Sequence, residues 1–451
     1  MFVIKRVMVI IGIFFNILSY GQDVNKKQLD QYFNEIANQN SFMGGIAILS
    51  NDRVIYTRNI GHADIESNTK ADINSKYRIG SISKTFTAVL TLKAIEQGCI
   101  DIDETLEKYF PSLNNADIIT IEQLLYHRSG IYNFTDAKDY DNWKTEPKTR
   151  SEMIEVIKDG GSVFEPGTKT EYSNSNYVLL SYIIEDCFKM SYADAIQKHI
   201  AKPLNMVNTK MGKDINPKNG DCNSYVFYED WTKQIATDMS IPLGAGAIIT
   251  TPSELVEFSN TLFNGKLLDE KSLSKMKTIK ENFGMGIFPI NIENKTAFGH
   301  TGGIDGASAL FSYIPEINTS YAIISNGSNM NNYEIATAVV KAIYNQPLDE
   351  MIAQLLESES KTESVKTYTG ELDAYEGVYI NEDLPFKLNI RVENEQLWAQ
   401  ATGQDAIPLE RFAPNKFRFK PANIVLHFNL DEKTVTLNQS GAEFKFGIEK
   451  K

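Results

Sequence analysis

The chain has 451 residues, 45 basic and 58 acidic, for a net charge of −13. That balance makes nucleic acid a poor partner, and the length exceeds one hydrophobic core, so two or more domains are expected. Cys99, Cys187 and Cys222 are an odd set without C-x-x-C spacing, and no two of the five histidines stand at i, i+4, so neither a disulfide scaffold nor a metal site is expected.

Taken in chain order, Lys5-Arg6 precedes an apolar run from Val7 to Leu18 and then Ser19-Tyr20-Gly21, the three parts of a secretory signal. The run is too short to span a bilayer comfortably, and no cysteine follows it, so no stable membrane anchor is expected. Residues 1–21 read as a removable leader and the mature protein as exported, periplasmic or extracellular. Gly45 to Leu49 and Val54 to Tyr56 flank a polar turn and predict a hairpin, as do Ala309 to Ile314 and Tyr321 to Ser325. Helices are expected from Phe86 to Ile95, Tyr177 to Glu185 and Ile335 to Tyr344. Strands at both ends with helices between them give an α+β domain over residues 22–356 whose sheet is completed by the returning chain.

From Glu357 to Thr369 the chain is polar and nearly without apolar anchors, which reads as a linker. Beyond it the hydrophobic period becomes two: Phe386, Leu388, Ile390 and Val392 alternate with polar residues, and so do Leu397 with Ala399, Leu426 with Phe428, and Phe444 with Phe446. Residues 370–451 therefore predict six or so strands in an antiparallel meander or small barrel.

Three short motifs carry chemistry. Ser81-Ile82-Ser83-Lys84 opens an apolar helix, and a spacing of three brings the lysine beside the hydroxyl. A lysine desolvated there loses basicity and can withdraw the serine proton. Of the other Ser-x-x-Lys matches, those of Ser272 and Ser274 lie in a charged stretch. Tyr172-Ser173-Asn174 follows the turn Glu165-Pro166-Gly167 and precedes an apolar helix, where a loop side chain is firmly held. Its rival Tyr140-Asp141-Asn142 stands among Asp136, Asp139 and Asp141, where a phenolate is disfavoured. His300-Thr301-Gly302-Gly303 puts glycines in a strand, which lets another backbone come close and a substrate pair along the edge.

With Leu124-Leu125-Tyr126-His127-Arg128-Ser129-Gly130 as a fourth block, the set resembles the serine penicillin-recognising hydrolases near class C β-lactamases, over about Gly45 to Tyr344. The resemblance implies a β-lactamase/transpeptidase-like fold: an antiparallel sheet packed by helices, plus a helical lobe, followed by a small all-β C-terminal domain. It implies Ser81 as acylated nucleophile, Lys84 and Tyr172 sharing acid and base work, Asn174 orienting the substrate amide, and the amides of Ser81 and Gly303 as oxyanion hole. His300 and Thr301 would contact substrate. His300 stands where many relatives carry lysine, which moves weight from β-lactamase toward carboxypeptidase or esterase. A Ser/His/Asp triad through His127 is not expected, because Lys84 already supplies a base.

The expected function is an exported serine hydrolase acting through an acyl-enzyme on a small peptide, amide or ester, including peptidoglycan-derived ones, with no cofactor. The alternatives are a class C-like β-lactamase and a non-hydrolytic penicillin or cell-wall peptide binding protein.

Overall fold

The computed structural model describes residues 24–228, 230–360, 371–381, 384, 386–393, 395–402, 406–419, 424–439 and 442–449. The expected leader lies outside them. Six antiparallel strands form the main sheet: β1 (Phe42–Ser50), β2 (Arg53–Ile60), β3 (Phe288–Ile292), β4 (Lys295–Ile304), β5 (Ala307–Ile314) and β6 (Thr319–Ser328), in the order β3-β4-β5-β6-β1-β2. Both predicted hairpins are present. The returning chain completes the sheet, as β6 pairs with β1 from Phe42 opposite Ser328 to Ser50 opposite Thr319.

Successive residues of a strand point to opposite faces, and the central strands use this to serve two cores. Ala47 and Leu49 of β1, with Ala322 and Ile324 of β6, join the core under the helical lobe. Ile46, Ile48, Tyr321 and Ile323 point the other way, against helices α1 (Lys26–Asn38), α5 (Asn332–Ile343) and α6 (Asp349–Ser360). Helix α1 buries Leu29, Tyr32, Phe33 and Ile36, one stripe of a 3.6-residue period. Each fully buried side chain of this size contributes about 1.5–3 kcal/mol.

Inside the first core run α2 (Ser83–Glu96), α3 (Asn174–Phe188) and α4 (Pro252–Phe263). Helix α2 is buried on nearly every face, as its apolar composition predicts, and stops before Gly98, whose φ is +68°. One expectation fails here. Cys99 and Cys187 form a disulfide with Cα atoms 5.9 Å apart, and only Cys222 is a buried free thiol. The bridge ties the C-terminal end of α2 to that of α3 across 88 residues, a proximity that sequence spacing does not reveal.

Helix α6 runs to Ser360 and covers the first residues of the expected linker; positions 361–369 lie outside the described residues. The C-terminal domain is a closed antiparallel barrel of eight strands: β7 (Gly377–Ile380), β8 (Lys387–Glu393), β9 (Gln396–Ala401), β10 (Ile407–Ala413), β11 (Lys416–Phe419), β12 (Ile424–Asn429), β13 (Thr434–Gln439) and β14 (Ala442–Ile448). Pairing of Tyr379 with Ile448 closes it. The alternating pattern missed β7, which buries only Tyr379, and β10, which carries Pro408, Glu410 and Arg411 and buries only Leu409. Closure removes the exposed edges that an open meander would leave.

Candidate active site

Ser81 lies in the single 3-10 turn Gly80–Ile82 that feeds α2. Gly80 has φ +50°, and a Cβ there would stand 2.7 Å from the carbonyl oxygen of Gly303. Gly302 likewise lies against Ile79 and the Ser81 amide, so no side chain fits between strand and turn. These glycines press β4 onto the serine, as expected for glycines in a strand. Strand β3 begins at Phe288, opposite Gly299, so residues from His300 to Ile304 pair only with β5 and their other edge stays open.

Lys84, the second residue of α2, is wholly buried. Its Nζ stands 3.0 Å from Ser81 Oγ, 2.7 Å from Asn174 Oδ1 and 2.8 Å from the Ala245 carbonyl. Burial pushes its pKa well below the usual lysine value, and no carboxylate offsets that cost. The partners limit what an unprotonated Lys84 can do. A neutral amine has two N–H groups and one lone pair; Asn174 Oδ1 and Ala245 O only accept, so the lone pair is left for the Ser81 hydroxyl.

Asn174 opens α3. Its Nδ2 donates to Asn133 Oδ1 and Thr135 Oγ1, each at 3.1 Å, and its carbonyl accepts from Lys84. The carboxamide is thus engaged in orienting the lysine. Asn133, Thr135 and Ala245 went unread in the sequence. Only Gly244-Ala245-Gly246, a glycine pair around the carbonyl that meets Lys84, gave any signal.

Tyr172 comes to the same place from the loop before α3, with its ring centre 4.7 Å from Lys84 Nζ. Burial pushes its phenol above the usual value, and the facing Ser81 hydroxyl partly offsets this. The phenol therefore stays protonated at neutral pH. Behind it lies His127, ring centres 4.4 Å apart, buried and with φ +57°. Its Nδ1 accepts from the Ser173 amide at 3.1 Å, and burial, Lys84 and His300 hold it well below the usual histidine value. His127 is neutral and occupied with backbone, an arrangement that does not serve a triad.

His300 is 3% exposed, packed against Phe288 at 4.7 Å between ring centres, with Nδ1 turned to the Thr301 carbonyl. Burial, then Lys84, lowers its pKa to about 3, so it is uncharged at neutral pH. Neither His300 nor Thr301, the latter exposed, lines the cavity that holds Ser81, so the structure does not bring the two expected substrate contacts into it. That cavity, about 420 Å³, is bounded by Gly80, Ser81, Asn174, Gly303, Tyr140 and Thr237. The rival Tyr140 packs on Phe134 and Trp143, at 5.9 and 5.1 Å, and belongs to its wall. Among the described residues no cluster of His, Cys, Asp or Glu could hold a metal ion, and no helix is long and apolar enough to cross a membrane.

A sheet packed by helices on both faces, with a hydroxyl beside a desolvated lysine at its open edge, places the chain in the class of serine hydrolases with the β-lactamase/transpeptidase fold. The Beta-lactamase family model matches residues 29–346, and the chain belongs to that family. A penicillin-binding protein of Bacillus subtilis (strain 168) is 24% identical over 93% of this chain and 97% of its own length. Teichoic acid D-alanine hydrolase of Staphylococcus aureus is 23% identical over 73% of this chain and 79% of its own. Among solved structures, D-amino acid amidase from Ochrobactrum anthropi SV3 superposes with a TM-score of 0.62 at 24% identity, over 70% of this chain and 99% of its own.

Proposed function

We propose that this protein is an exported hydrolase that forms an acyl-enzyme on Ser81 and acts on amides, peptides or esters of D-configured acyl groups. The observation that carries the reading is the buried Lys84, with no carboxylate beside it and its Nζ 3.0 Å from Ser81 Oγ. Lys84 takes the hydroxyl proton as Oγ attacks the carbonyl carbon. The amides of Ser81 and Gly303 receive the developing oxyanion, each worth a few kcal/mol. Tyr172, kept protonated by its surroundings, hands a proton to the departing amine or alcohol. Water then cleaves the acyl-enzyme.

The substrate class draws support from the names of the relatives, a D-alanine hydrolase and a D-amino acid amidase. The neutral His300 supports it too, since β4 offers no cation there for the carboxylate of a cephalosporin. Export draws support from the leader-like segment and from the disulfide, which persists in oxidising compartments.

The test is a turnover panel of D-Ala-D-Ala peptide, D-aminoacyl amide, short-chain p-nitrophenyl ester and chromogenic cephalosporin, with fluorophosphonate labelling mapped by peptide. Amide and ester turnover above that of cephalosporin, with the label on Ser81 and lost in Ser81→Ala, is the expected result. Efficient cephalosporin hydrolysis makes β-lactamase the better name, and acylation by every substrate without turnover makes the protein a binding module.

A further inference from the structure

Two hydroxyls of α2 reach the segment that supplies the Ala245 carbonyl to Lys84. Ser83 and Thr87 stand four residues apart, on one face of the helix. Thr87 Oγ1 lies 2.7 Å from the Gly244 carbonyl oxygen and 2.6 Å from the Tyr192 hydroxyl, and Ser83 Oγ accepts from the Ile248 amide at 3.0 Å. Ala245 is therefore tied on both sides. Thr87 has one hydrogen to give, and a carbonyl can only accept. Burial holds the Tyr192 phenol above its usual value, so it keeps a proton to give to Thr87. Donation runs from Tyr192 to Thr87 to Gly244.

A helical threonine by default bonds the carbonyl one turn behind it. Thr91 shows that contact, 2.9 Å to the Thr87 carbonyl, but for Thr87 the equivalent distance to Ser83 O is 3.1 Å, longer than its reach to Gly244. The segment it grips does not rest in a relaxed shape. Leu243 takes φ +32°, which disfavours a residue with a side chain. Gly244 is pressed on α3 so closely that a Cβ would stand 2.6 Å from the Tyr177 carbonyl oxygen. Tyr192 is anchored in its turn, its amide donating to Glu185 Oε1 of α3 at 2.9 Å.

We propose that Thr87 and Tyr192 are positioning residues of the reaction, whose hydroxyls hold residues 243–248 so that the Ala245 carbonyl meets Lys84 and the amine is left free to accept from Ser81. The proposal rests on the acyl-enzyme reading above. It makes a signed prediction. A carbonyl bonds an ammonium more strongly than an amine, so displacing Ala245 makes the Lys84 cation harder to keep and moves its titration to lower pH. The same displacement frees the amine to turn away from Ser81, so the rate falls. The other titratable groups facing Lys84 are Tyr172 and Tyr177, ring centres 4.7 and 5.8 Å from Nζ, and His127 and His300. Burial keeps both phenols protonated and both imidazoles neutral at neutral pH, and residues 243–246 carry no titratable side chain.

The experiment uses the full-length protein and the pH profile of kcat/KM for p-nitrophenyl acetate, whose leaving group departs as the anion, so that the acid limb reports the base. Rates are taken per active site counted by fluorophosphonate labelling, which removes any loss of folded protein. Thr87→Val should lower the plateau by about tenfold to a hundredfold and move the acid limb down by roughly half a pH unit or more. Tyr192→Phe should do the same to a smaller extent, and Thr87→Ser, which keeps the hydroxyl, should restore most of the rate. Thr91→Val removes a buried hydroxyl from the same helix outside this network and should leave the limb in place. An acid limb unmoved in Thr87→Val, or moved as far by Thr91→Val, overturns the proposal. Should Thr87→Val not fold, an unmoved limb in Tyr192→Phe overturns it equally. Ester turnover that survives in Ser81→Ala overturns instead the acyl-enzyme reading on which it rests.

Discussion

The two domains bury different things. In the sheet-and-helix domain Lys84, His127, Asn176, Glu254 and His300 are all within the core or its edge, whereas among the described residues beyond Asn326 no polar or charged residue is buried as a whole, and Arg411 only tucks part of its guanidinium against Tyr375 and Phe417. The barrel is filled by Tyr375, Tyr379, Phe417, Phe428 and aliphatic neighbours, with ring centres 4.8–5.8 Å apart. Burying a polar group costs free energy unless it is well partnered. The first domain bears that cost most heavily around Ser81, where Lys84, His127 and His300 are all buried. The second packs rings and aliphatic side chains inside a closed barrel.

The sharpest way to break this contrast is Tyr172→Phe, which should lower kcat by about 10²- to 10⁴-fold while the thermal unfolding midpoint hardly moves. Tyr140→Phe, on the cavity wall, should change kcat little; the opposite ranking would move the acid to Tyr140. In the barrel, Phe428→Ala should cost about 3–5 kcal/mol in denaturant unfolding of that domain, with hydrolysis of acetyl esters unchanged. Loss of ester turnover would show that the barrel takes part in the chemistry.

Cys99→Ser should destabilise the first domain by about 2–4 kcal/mol, read from denaturant midpoints with and without reductant. Activity at saturating substrate should persist, because the bridge holds the ends of α2 and α3 remote from Ser81 and Asn174.

A last contrast is a pH dependence. His300 falls from 6.5 in the unfolded chain to about 3 when folded, so it binds fewer protons in the native state between those values. Its contribution is present above pH 6.5 and lost as the pH falls toward 3. His300→Gln should flatten that part of the stability curve. The rate should follow a different group: kcat/KM rises with pH as Lys84, its pKa lowered by burial, loses its proton, and no alkaline decline is expected at neutral pH because Tyr172 is raised.

Much of the first region was legible because its signals are local. Ser81 and Lys84 are three residues apart on one helical path, and Asn174 begins the apolar helix it was expected to precede. The strand at His300 to Gly303 was legible from its glycines, and the barrel from its alternation, although two strands with a single buried residue each escaped that pattern.

The sequence by itself determined the meeting of Ser81 with Lys84 and the two-domain order, since residues three apart on a helical path share a face. Only the tertiary structure decided the rest: the Ala245 carbonyl, 161 residues from Lys84, that directs its lone pair; the Asn133 and Thr135 oxygens that hold Asn174; the Cys99–Cys187 bridge; and the closure of the barrel. Each is a pairing between distant segments, and the hydrophobic period that folds a segment does not say which other segment will meet it.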